Sequence, residues 1–370
     1  MFFPYAPAYR EDIYRLIDKT FDVDWYFCGN AKRPLKLLNY NLLKNVELKF
    51  EEVKLNKGFS YFKNFDTNIF DTYDAIIFSG DVRILSFWKL LFAKNWRNKR
   101  PKMILWTHGW YGRESKIKQW IKKTYWKGVD AFLLYGEYAK KLMIQQGFNP
   151  KSLYVIANSL AYDRQLILRN QLCSSKIYNE IFHNNNKTII FIGRLTYEKK
   201  LEMLITAISS LKRDYIELNL VLIGNGEALI FLKSFAHTIG IDSQVYFWGE
   251  CYDEETNAKL IYNADLCVSP GNVGLTAIHS MMFGCPVITH NDFRHQGPEF
   301  EAIKPGKTGI FFKKNSVESL TKIIKKWINT SGNDREAVRE ACFQEIDRKW
   351  NPNYQIEVLK SVLINTITNN

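Results

Sequence analysis

The segment that decides the fold runs from Asp265 to Gly309 and reads DLCVSPGNVGLTAIHSMMFGCPVITHNDFRHQGPEFEAIKPGKTG. Its apolar run 266–268 predicts a short buried strand, because turn-forming residues follow it directly. The small-residue turn 271–274 leads into apolar residues with the spacing of a helix that packs on a sheet. A second apolar run, 287–289, then predicts the next strand. A turn of this kind leaves backbone N–H groups free at the tip of a sheet, where a phosphate can bind.

A second strand and turn lie upstream of this segment. The apolar run 188–192 ends at Gly193, and the loop that follows carries Arg194 and Lys199 before an amphipathic helix begins. A guanidinium and an ammonium at the start of a helix can neutralise a diphosphate leaving group without a metal ion. The sequence therefore predicts Arg194 and Lys199 as the diphosphate ligands and as catalytic residues.

Together, the two stretches resemble the retaining glycosyltransferases of family 4. The resemblance runs from about residue 188 to about residue 312, and more loosely over the rest of the chain. The matching positions are Gly193, Arg194, Leu195, Glu198 and Lys199 in the first motif, and Gly274, Leu275, Met281, Gly284, Pro286 and Val287 in the second. It implies the α/β fold called GT-B, in which two doubly wound Rossmann-like domains face each other. It also implies a nucleotide-sugar donor, and neither a metal ion nor another cofactor.

The resemblance extends to residues that contact the donor, with one departure. It implies that the backbone at Gly193, Gly274 and Leu275 approaches the diphosphate and that Glu250 lies near the base. The family has two glutamates, which touch the donor sugar and the ribose, at the positions that here hold Gly271 and His279. We keep His279 as a donor-binding residue. The departure leaves both contacts open, and we expect Glu299 to supply part of what is missing.

The first half of the chain also alternates strands with helices, which is typical of a parallel sheet covered on both faces. Ligands bind beyond the carboxyl ends of such strands, where His108 and Asn158 stand. The family places a histidine followed by glycine at the first of these positions. We therefore predict that His108 is catalytic, in contact with a donor or acceptor hydroxyl, and that Asn158 binds the donor.

The strand predictions fall into two sets separated by a polar stretch. They are 23–27, 74–78, 103–107, 131–134 and 153–156 in the first set, and 188–192, 218–223, 245–248, 266–268, 287–289 and 310–312 in the second. The predicted domains are an acceptor-side domain 1–165, a linker 166–187, a nucleotide-sugar-binding domain 188–350, and a final helix 351–370 that crosses back to the first domain. Six cysteines without C-x-x-C spacing predict buried free thiols.

Charge distinguishes the two halves of the chain. Residues 1–170 hold 29 Lys and Arg against 16 Asp and Glu, a net charge of +13, while the rest of the chain holds 22 of each. The most basic stretch, 116–127, is an amphipathic pattern with tryptophans, which suits an anionic bilayer surface. The residues predicted for this membrane or acceptor patch are Lys116, Lys118, Trp120, Lys122, Lys123 and Lys127. An equally weighted interpretation is a surface helix whose apolar stripe packs on the sheet.

The combined prediction is a glycosyltransferase that extends a lipid-linked saccharide in bacterial surface polysaccharide synthesis. No apolar run reaches the roughly 20 residues that span a bilayer and no signal peptide opens the chain, so we expect a cytoplasmic protein at the inner face of the cell membrane. Nucleic-acid binding would also explain the basic half, but no recognition motif supports it.

Two further alternatives concern the second half. A metal site drawn from His290, Asp292 and His295, with or without His279, fits no strong zinc spacing. A catalytically inactive nucleotide-sugar-binding protein would explain why both family glutamates are replaced.

Overall fold

The structure is a computed structural model that describes residues 1–29, 36–93, 100–330 and 334–367. The chain divides into two compact units, the first formed by 1–161 with 351–370 and the second by 162–350.

The first unit is built on a parallel sheet. Its strands and helices in residues 1–161 are α1 (Glu11–Thr20), β1 (Asp24–Cys28), β2 (Asn45–Phe50), β3 (Glu52–Lys54), β4 (Ser60–Phe62), β5 (Ala75–Ser79), α2 (Leu85–Leu91), β6 (Lys102–Thr107), α3 (Lys116–Trp126), β7 (Ala131–Leu134), α4 (Glu137–Gln145) and β8 (Leu153–Val155). Strands β5 to β8 pair in that order, and β1 pairs with β2. Phe2 bridges β1 and β5 in parallel register, so the chain start joins the two parts of the sheet.

The second unit has one six-stranded sheet with the order β11-β10-β9-β12-β13-β14, in which every pair is parallel. Its elements are α5 (Tyr162–Gln171), α6 (Ile177–Phe182), β9 (Thr188–Ile192), α7 (Leu201–Arg213), β10 (Asn219–Ile223), α8 (Leu229–Thr238), β11 (Val245–Gly249), α9 (Glu254–Asn263), β12 (Leu266–Ser269), α10 (Thr276–Met282), β13 (Val287–His290), β14 (Gly309–Phe312), α11 (Val317–Asn329) and α12 (Arg335–Lys349). The last helix, α13 (Pro352–Ile367), belongs to the first unit.

The strands are continuous apolar runs because helices cover both faces of each sheet. In the second unit every residue of β9, β10, β12 and β13 is buried. The core of the first unit contains a cluster of phenylalanines around Phe2, whose ring centroid lies 5.2 Å from that of Phe50 and 5.0 Å from that of Phe62. Burial of this apolar surface is the main contribution to the stability of each unit.

The structure confirms the predicted strands of both sets to within one or two residues at each end. It also shows elements that the sequence analysis did not assign, β2 and the antiparallel β3–β4 hairpin. The segment 166–187, predicted as a linker, instead holds most of α5 and all of α6 in the second unit. Four cysteines are buried as free thiols, but Cys173 is exposed and Cys251 is half-buried. Among the described residues, no helix has both the length and the hydropathy that a membrane crossing requires.

Candidate functional site

The loop after β9 carries the two predicted diphosphate ligands, and the neighbouring turn after β10 supports it. The N–H of Leu195 donates to the carbonyl of Asn225 at 2.8 Å. A Cβ on Gly224 would lie 1.9 Å from the carbonyl oxygen of Gly193, and one on Gly226 would lie 2.5 Å from that of Leu195. Glycine is therefore required at both positions for the two loops to pack against each other.

The turn after β12 packs against the same loop from the other side. The N–H of Gly271 donates to the carbonyl of Lys199 at 2.9 Å, and the Lys199 ammonium donates to the carbonyl of Asn272 at 2.5 Å. A Cβ on Gly271 would lie only 2.1 Å from the carbonyl oxygen of Glu198. Position 271 therefore has no room for a side chain, so this backbone cannot accommodate the glutamate that the resembling family has there.

A fourth loop, after β13, is joined to the β12 turn by buried hydrogen bonds. The Gln296 amide oxygen accepts from the N–H of Val273 at 2.8 Å, and its amide nitrogen donates to the Thr289 hydroxyl at 2.9 Å. That hydroxyl donates in turn to the carbonyl of Ser269 at 2.8 Å. The four loops at the carboxyl edge of the sheet are therefore fixed to one another by backbone and side-chain contacts.

Two cations, Arg194 and Lys199, lie at these loops, with the carboxylates of Glu198 and Glu299 near Lys199. Arg194 is exposed and makes no ion pair within the described part of the chain. Burial, and then the Arg194 charge, lower the pKa of Lys199, while Glu299 acts in the opposite direction. The Glu299 side chain is buried, with 4% exposed. The structure thus brings Arg194, Lys199, Gly193, Gly274 and Glu299 to one edge of the sheet. That Arg194 and Lys199 bind a diphosphate there, and that Glu299 contacts the donor, stay predictions.

His279 has a carboxylate partner from another part of the sequence. Its Nε2 atom lies 2.8 Å from Oε1 of Glu254, the first residue of α9, and the same oxygen accepts from the Gln165 amide at 2.7 Å. Burial opposes ionisation of Glu254, but His279 and Gln165 outweigh it and lower the pKa of the carboxyl group. One turn before His279, the Thr276 hydroxyl donates to the carbonyl of Ile192 at 2.9 Å. The pair therefore lies close to the carboxyl end of β9.

Other predicted donor residues have less distinctive surroundings. Glu250 is exposed after β11 and accepts a hydrogen bond from the Tyr252 hydroxyl at 3.2 Å. Asn158 lies in the first unit, after β8, and is buried; its side-chain oxygen accepts from the N–H of Ser159 at 3.0 Å. Nothing in these contacts sets either residue apart as a ligand-binding group.

His108 lies after β6 in the first unit, beside aromatic rings. Its ring centroid is 4.6 Å from that of Tyr135 and 6.0 Å from that of Tyr111. Part of the side chain stays exposed, yet desolvation by the surrounding protein, with the charges of Arg10 and Lys122, lowers the pKa of His108 to about 4. The imidazole is therefore neutral at pH 7 and can both donate and accept a hydrogen bond.

Helix α3 differs from a helix packed on a sheet. Ile117 and Trp120 are 71% and 68% exposed, so the apolar stripe faces solvent near its start. Only Tyr125 and Trp126 are buried. Most of the basic residues predicted for the patch are exposed, namely Lys116, Lys118 and Lys127, with Lys123 half-buried.

Lys122 departs from the predicted patch. Its ammonium donates to Oε1 of Glu114 at 2.7 Å and to the carbonyl of Gly109 at 3.0 Å. It also lies 5.5 Å from the Trp126 ring centroid. Lys122 therefore holds the loop before α3 in place and does not face outward with the other lysines.

Among the described residues, no group of three or more His, Cys, Asp or Glu is arranged to hold a metal ion. In the alternative drawn from the sequence, Asp292 is instead surrounded by two cationic side chains and an imidazole. Its carboxylate lies 2.9 Å from the Lys314 ammonium, 3.3 Å from Nε of Arg294 and 2.7 Å from Nδ1 of His295.

Sequence analysis missed Glu254, because it lies 25 residues from His279 and only the fold brings the two together. The sequence signal that could have drawn attention to Glu254 is Asp253, directly before it. An aspartate is a common N-cap residue and predicts that a helix begins there.

Comparison with known proteins finds glycosyltransferases among the similar sequences. Residues 176–344 match the family model of the group 1 glycosyl transferases. An uncharacterized glycosyltransferase of Methanocaldococcus jannaschii is 26% identical over 195 residues, which cover 51% of this chain and 46% of the relative. The alpha-monoglucosyldiacylglycerol synthase of Streptococcus pneumoniae is 31% identical over 113 residues, 30% of this chain and 25% of the relative. The chain thus spans about half or less of these two curated relatives.

Solved structures match nearly the whole chain. The lipopolysaccharide outer core galactosyltransferase WaaB has a TM-score of 0.71 at 15% identity, with 98% of both chains covered. HepE of Anabaena in complex with UDP has a TM-score of 0.71 at 14% identity, again with 98% of both chains covered. At such identities the likeness establishes the fold alone, which is GT-B.

Proposed function

We propose that this protein is a retaining glycosyltransferase that moves a sugar from a nucleotide-sugar donor to a lipid-linked saccharide acceptor. The observation that carries the proposal is the meeting of Arg194 and Lys199 with glycine-containing turns at the carboxyl edge of the second sheet. The match of residues 176–344 to the group 1 glycosyl transferases supports it. The UDP bound by HepE supports a nucleotide as part of the donor.

In the proposed reaction, the bond between the anomeric carbon and the diphosphate oxygen breaks. Negative charge grows on that oxygen, where Arg194 and Lys199 stabilise it more strongly in the transition state than in the bound donor. The acceptor hydroxyl attacks the anomeric carbon on the face that the diphosphate leaves, and its proton passes to the departing phosphate. His108 is assigned to contact a sugar hydroxyl. No step requires a metal ion, since the two side chains supply the positive charge.

We assign the ribose of the donor nucleotide to the Glu254–His279 pair. A carboxylate can accept hydrogen bonds from two vicinal hydroxyls, and Glu254 brings one to the position where the resembling family has its own glutamate. Glu254→Gln keeps the shape but removes the charge. We expect it to weaken nucleotide binding about tenfold, in the range of one charge-assisted hydrogen bond. Calorimetric titration with the preferred nucleotide measures this.

The control for that experiment is Glu255→Gln. Glu255 is the neighbouring residue and is exposed, and within the described residues its ion pair is with Lys259 at 2.7 Å. If the Glu254→Gln and Glu255→Gln variants bind the nucleotide with equal affinity, the assignment of the ribose to Glu254 is wrong.

We further propose that α3 attaches the first unit to an anionic membrane surface through Ile117 and Trp120, with Lys116 and Lys118 beside them. Two exposed apolar side chains flanked by lysines are suited to the headgroup region. Ile117→Ser with Trp120→Ser should weaken binding to phosphatidylglycerol vesicles at least about tenfold, because each buried side chain contributes roughly 1.5–3 kcal/mol. Cosedimentation measures the bound fraction.

Two controls separate this effect from others. Ile230→Ser removes an apolar side chain that is 83% exposed in the second unit, and it should leave vesicle binding unchanged. Lys122→Gln should lower the melting temperature, because it leaves Glu114 without its ion pair, and should change vesicle binding little. If the wild type and the double variant bind vesicles equally, the membrane proposal is wrong and α3 is an ordinary surface helix.

The acceptor is proposed to be a lipid-linked intermediate of a bacterial surface polysaccharide such as a capsule, O-antigen or exopolysaccharide. The +13 charge of residues 1–170 favours an anionic acceptor or membrane. Among the similar proteins, one is named for a glucosyldiacylglycerol and another for the lipopolysaccharide outer core. The protein would then work in the cytoplasm at the inner face of the cell membrane.

One observation favours a second candidate function, a nucleotide-sugar-binding protein without activity. Gly271 and His279 stand where the resembling family has its two glutamates. A turnover experiment separates the two candidates. The protein is incubated with labelled UDP-, GDP-, dTDP- and CMP-sugars and a bacterial lipid extract, and nucleotide release and labelled lipid are measured. Transfer from one donor with an unchanged anomeric configuration supports the proposal, whereas tight donor binding without release or transfer supports the inactive protein.

A further inference from the structure

Arg10 is a buried cation that the proposed reaction does not use. It ends the short 3-10 turn Ala8–Arg10 and is the N-cap residue of α1, and only 7% of it is exposed. Its guanidinium carbon lies 4.4 Å from the ring centroid of Trp106 and 5.2 Å from that of Tyr14. Trp106 is close to the carboxyl end of β6, the edge of the sheet at which ligands bind in folds of this kind.

No carboxylate of the described residues forms an ion pair with this charge. The groups that raise the pKa of Arg10 are the hydroxyls of Tyr135, Tyr14 and Tyr9, and the Arg10 charge in turn lowers the pKa of His108. One of its terminal nitrogens, Nη1, donates to the Tyr135 hydroxyl at 3.3 Å. The other two nitrogens, Nε and Nη2, are buried without a hydrogen-bond partner.

These two nitrogens form one edge of the guanidinium, where two N–H bonds point in parallel. That edge matches a carboxylate or phosphate, which accepts both bonds at once. A buried N–H group without an acceptor destabilises the folded protein, so its presence requires an explanation. Stacking on Trp106 explains the position of the plane of the guanidinium but leaves this edge without an acceptor.

The charges around Arg10 favour the binding of an anion there. His108, whose ring lies beside Tyr135, is neutral at pH 7, and the nearby Lys122 is balanced by Glu114. Arg10 is therefore the uncompensated charge among these described groups.

We propose that the Nε and Nη2 edge of Arg10 binds a phosphate group of a ligand, next to His108 and Tyr135. The proposal rests on the proposed function only for the source of the phosphate, which is either an isoprenoid-linked acceptor or the donor nucleotide. Because the edge is shielded from solvent, binding requires a movement of a neighbouring side chain such as Tyr9, which is exposed.

The test uses the full chain with Arg194→Ala and Lys199→Ala, so that the proposed diphosphate site of the second unit does not contribute. Inorganic pyrophosphate, UDP and geranyl diphosphate are titrated calorimetrically into this protein. The titrations are repeated with Arg10→Met added, and with Arg15→Met as the matched control, since Arg15 lies on the same helix, exposed and paired with Glu11.

We expect saturable pyrophosphate binding that Arg10→Met weakens at least tenfold and Arg15→Met leaves unchanged. Given that loss of pyrophosphate binding, a further loss for geranyl diphosphate but not for UDP assigns the phosphate to the acceptor, and a further loss for UDP but not for geranyl diphosphate assigns it to the donor. Equal binding by the Arg10→Met and Arg15→Met proteins, or no saturable pyrophosphate binding at millimolar concentration, overturns the proposal.

A second measurement tests the proposal even if the Arg10→Met variant does not fold. The pKa of His108 is followed by NMR in the Arg194→Ala, Lys199→Ala protein with and without pyrophosphate. An anion bound at Arg10 should raise that pKa, because it offsets one of the two cations that lower it. A His108 pKa that does not respond to pyrophosphate contradicts the proposal.

Discussion

Replacing Arg194 with alanine should lower kcat by about 10²- to 10³-fold, the effect of removing one group that stabilises the developing charge of a leaving group. The melting temperature should stay within error of the wild type. Arg194 is exposed and has no ion pair in the described part of the chain, so its removal leaves no partner unsatisfied. Steady-state kinetics with the donor identified by the turnover experiment measure the change.

The matched control is Arg213→Ala. Arg213 ends α7 and is exposed, and among the residues that the structure describes its guanidinium donates to the Ser210 hydroxyl at 3.1 Å. The Arg213→Ala variant should retain the wild-type kcat. This result would show that the loss of a positive charge from the second unit does not by itself lower kcat. If Arg194→Ala turns over as fast as Arg213→Ala, the leaving-group assignment is wrong.

The second large effect is expected from Gly271→Ala. A Cβ here lies 2.1 Å from the Glu198 carbonyl oxygen and 2.8 Å from Cα of Lys199, so the loop that carries Lys199 must move. We expect a loss of roughly 1–3 kcal/mol in the free energy of unfolding. Nucleotide affinity should fall at least tenfold as well, because the Lys199 ammonium moves away from the diphosphate. Chemical denaturation and calorimetry measure the two effects.

Gly306→Ala is the control for this variant. Gly306 has a φ of +78° and nothing within 4 Å of an added Cβ, so alanine strains the backbone without a clash. The Gly306→Ala variant should lose about 1–2 kcal/mol in the free energy of unfolding and keep the nucleotide affinity of the wild type. If Gly271→Ala binds nucleotide as well as Gly306→Ala does, the packing of the two loops is not what positions Lys199.

The same geometry predicts that Gly271→Glu does not restore the contact made by the glutamate of the resembling family. Any side chain at 271 meets the backbone of Glu198 before it reaches a ligand.

The sequence was sufficient to predict the strands, because continuous apolar runs between turn formers are a local signal of buried parallel strands. It also predicted that Arg194, Lys199 and Gly274 lie together, since loops after neighbouring parallel strands meet at one edge. The hairpin β3–β4 escaped prediction because its strands are three residues long and only partly buried. The predicted linker 166–187 proved helical, because polar composition describes a surface helix as well as a loop.

Contacts between distant residues could not be predicted in this way. Glu254 reaches His279, and Gln165 reaches Glu254, only after α9, α5 and α10 have been positioned. The reversed orientation of Lys122 is a similar case. Its spacing fits the basic face of α3, but Glu114 and the carbonyl of Gly109 provide a stronger set of partners than solvent does. The side chain therefore turns inward.

The most direct test of the central claim, that Arg194 and Lys199 bind the diphosphate of a nucleotide sugar, is thermal stabilisation by a panel of UDP-, GDP-, dTDP- and CMP-sugars. The wild type and Arg194→Ala are compared at equal ligand concentrations. One nucleotide should stabilise the wild type, by about 2.7 kcal/mol at 100 times its dissociation constant, and should stabilise Arg194→Ala much less. No stabilisation of the wild type by any member of the panel, or equal stabilisation of both proteins, would contradict the claim.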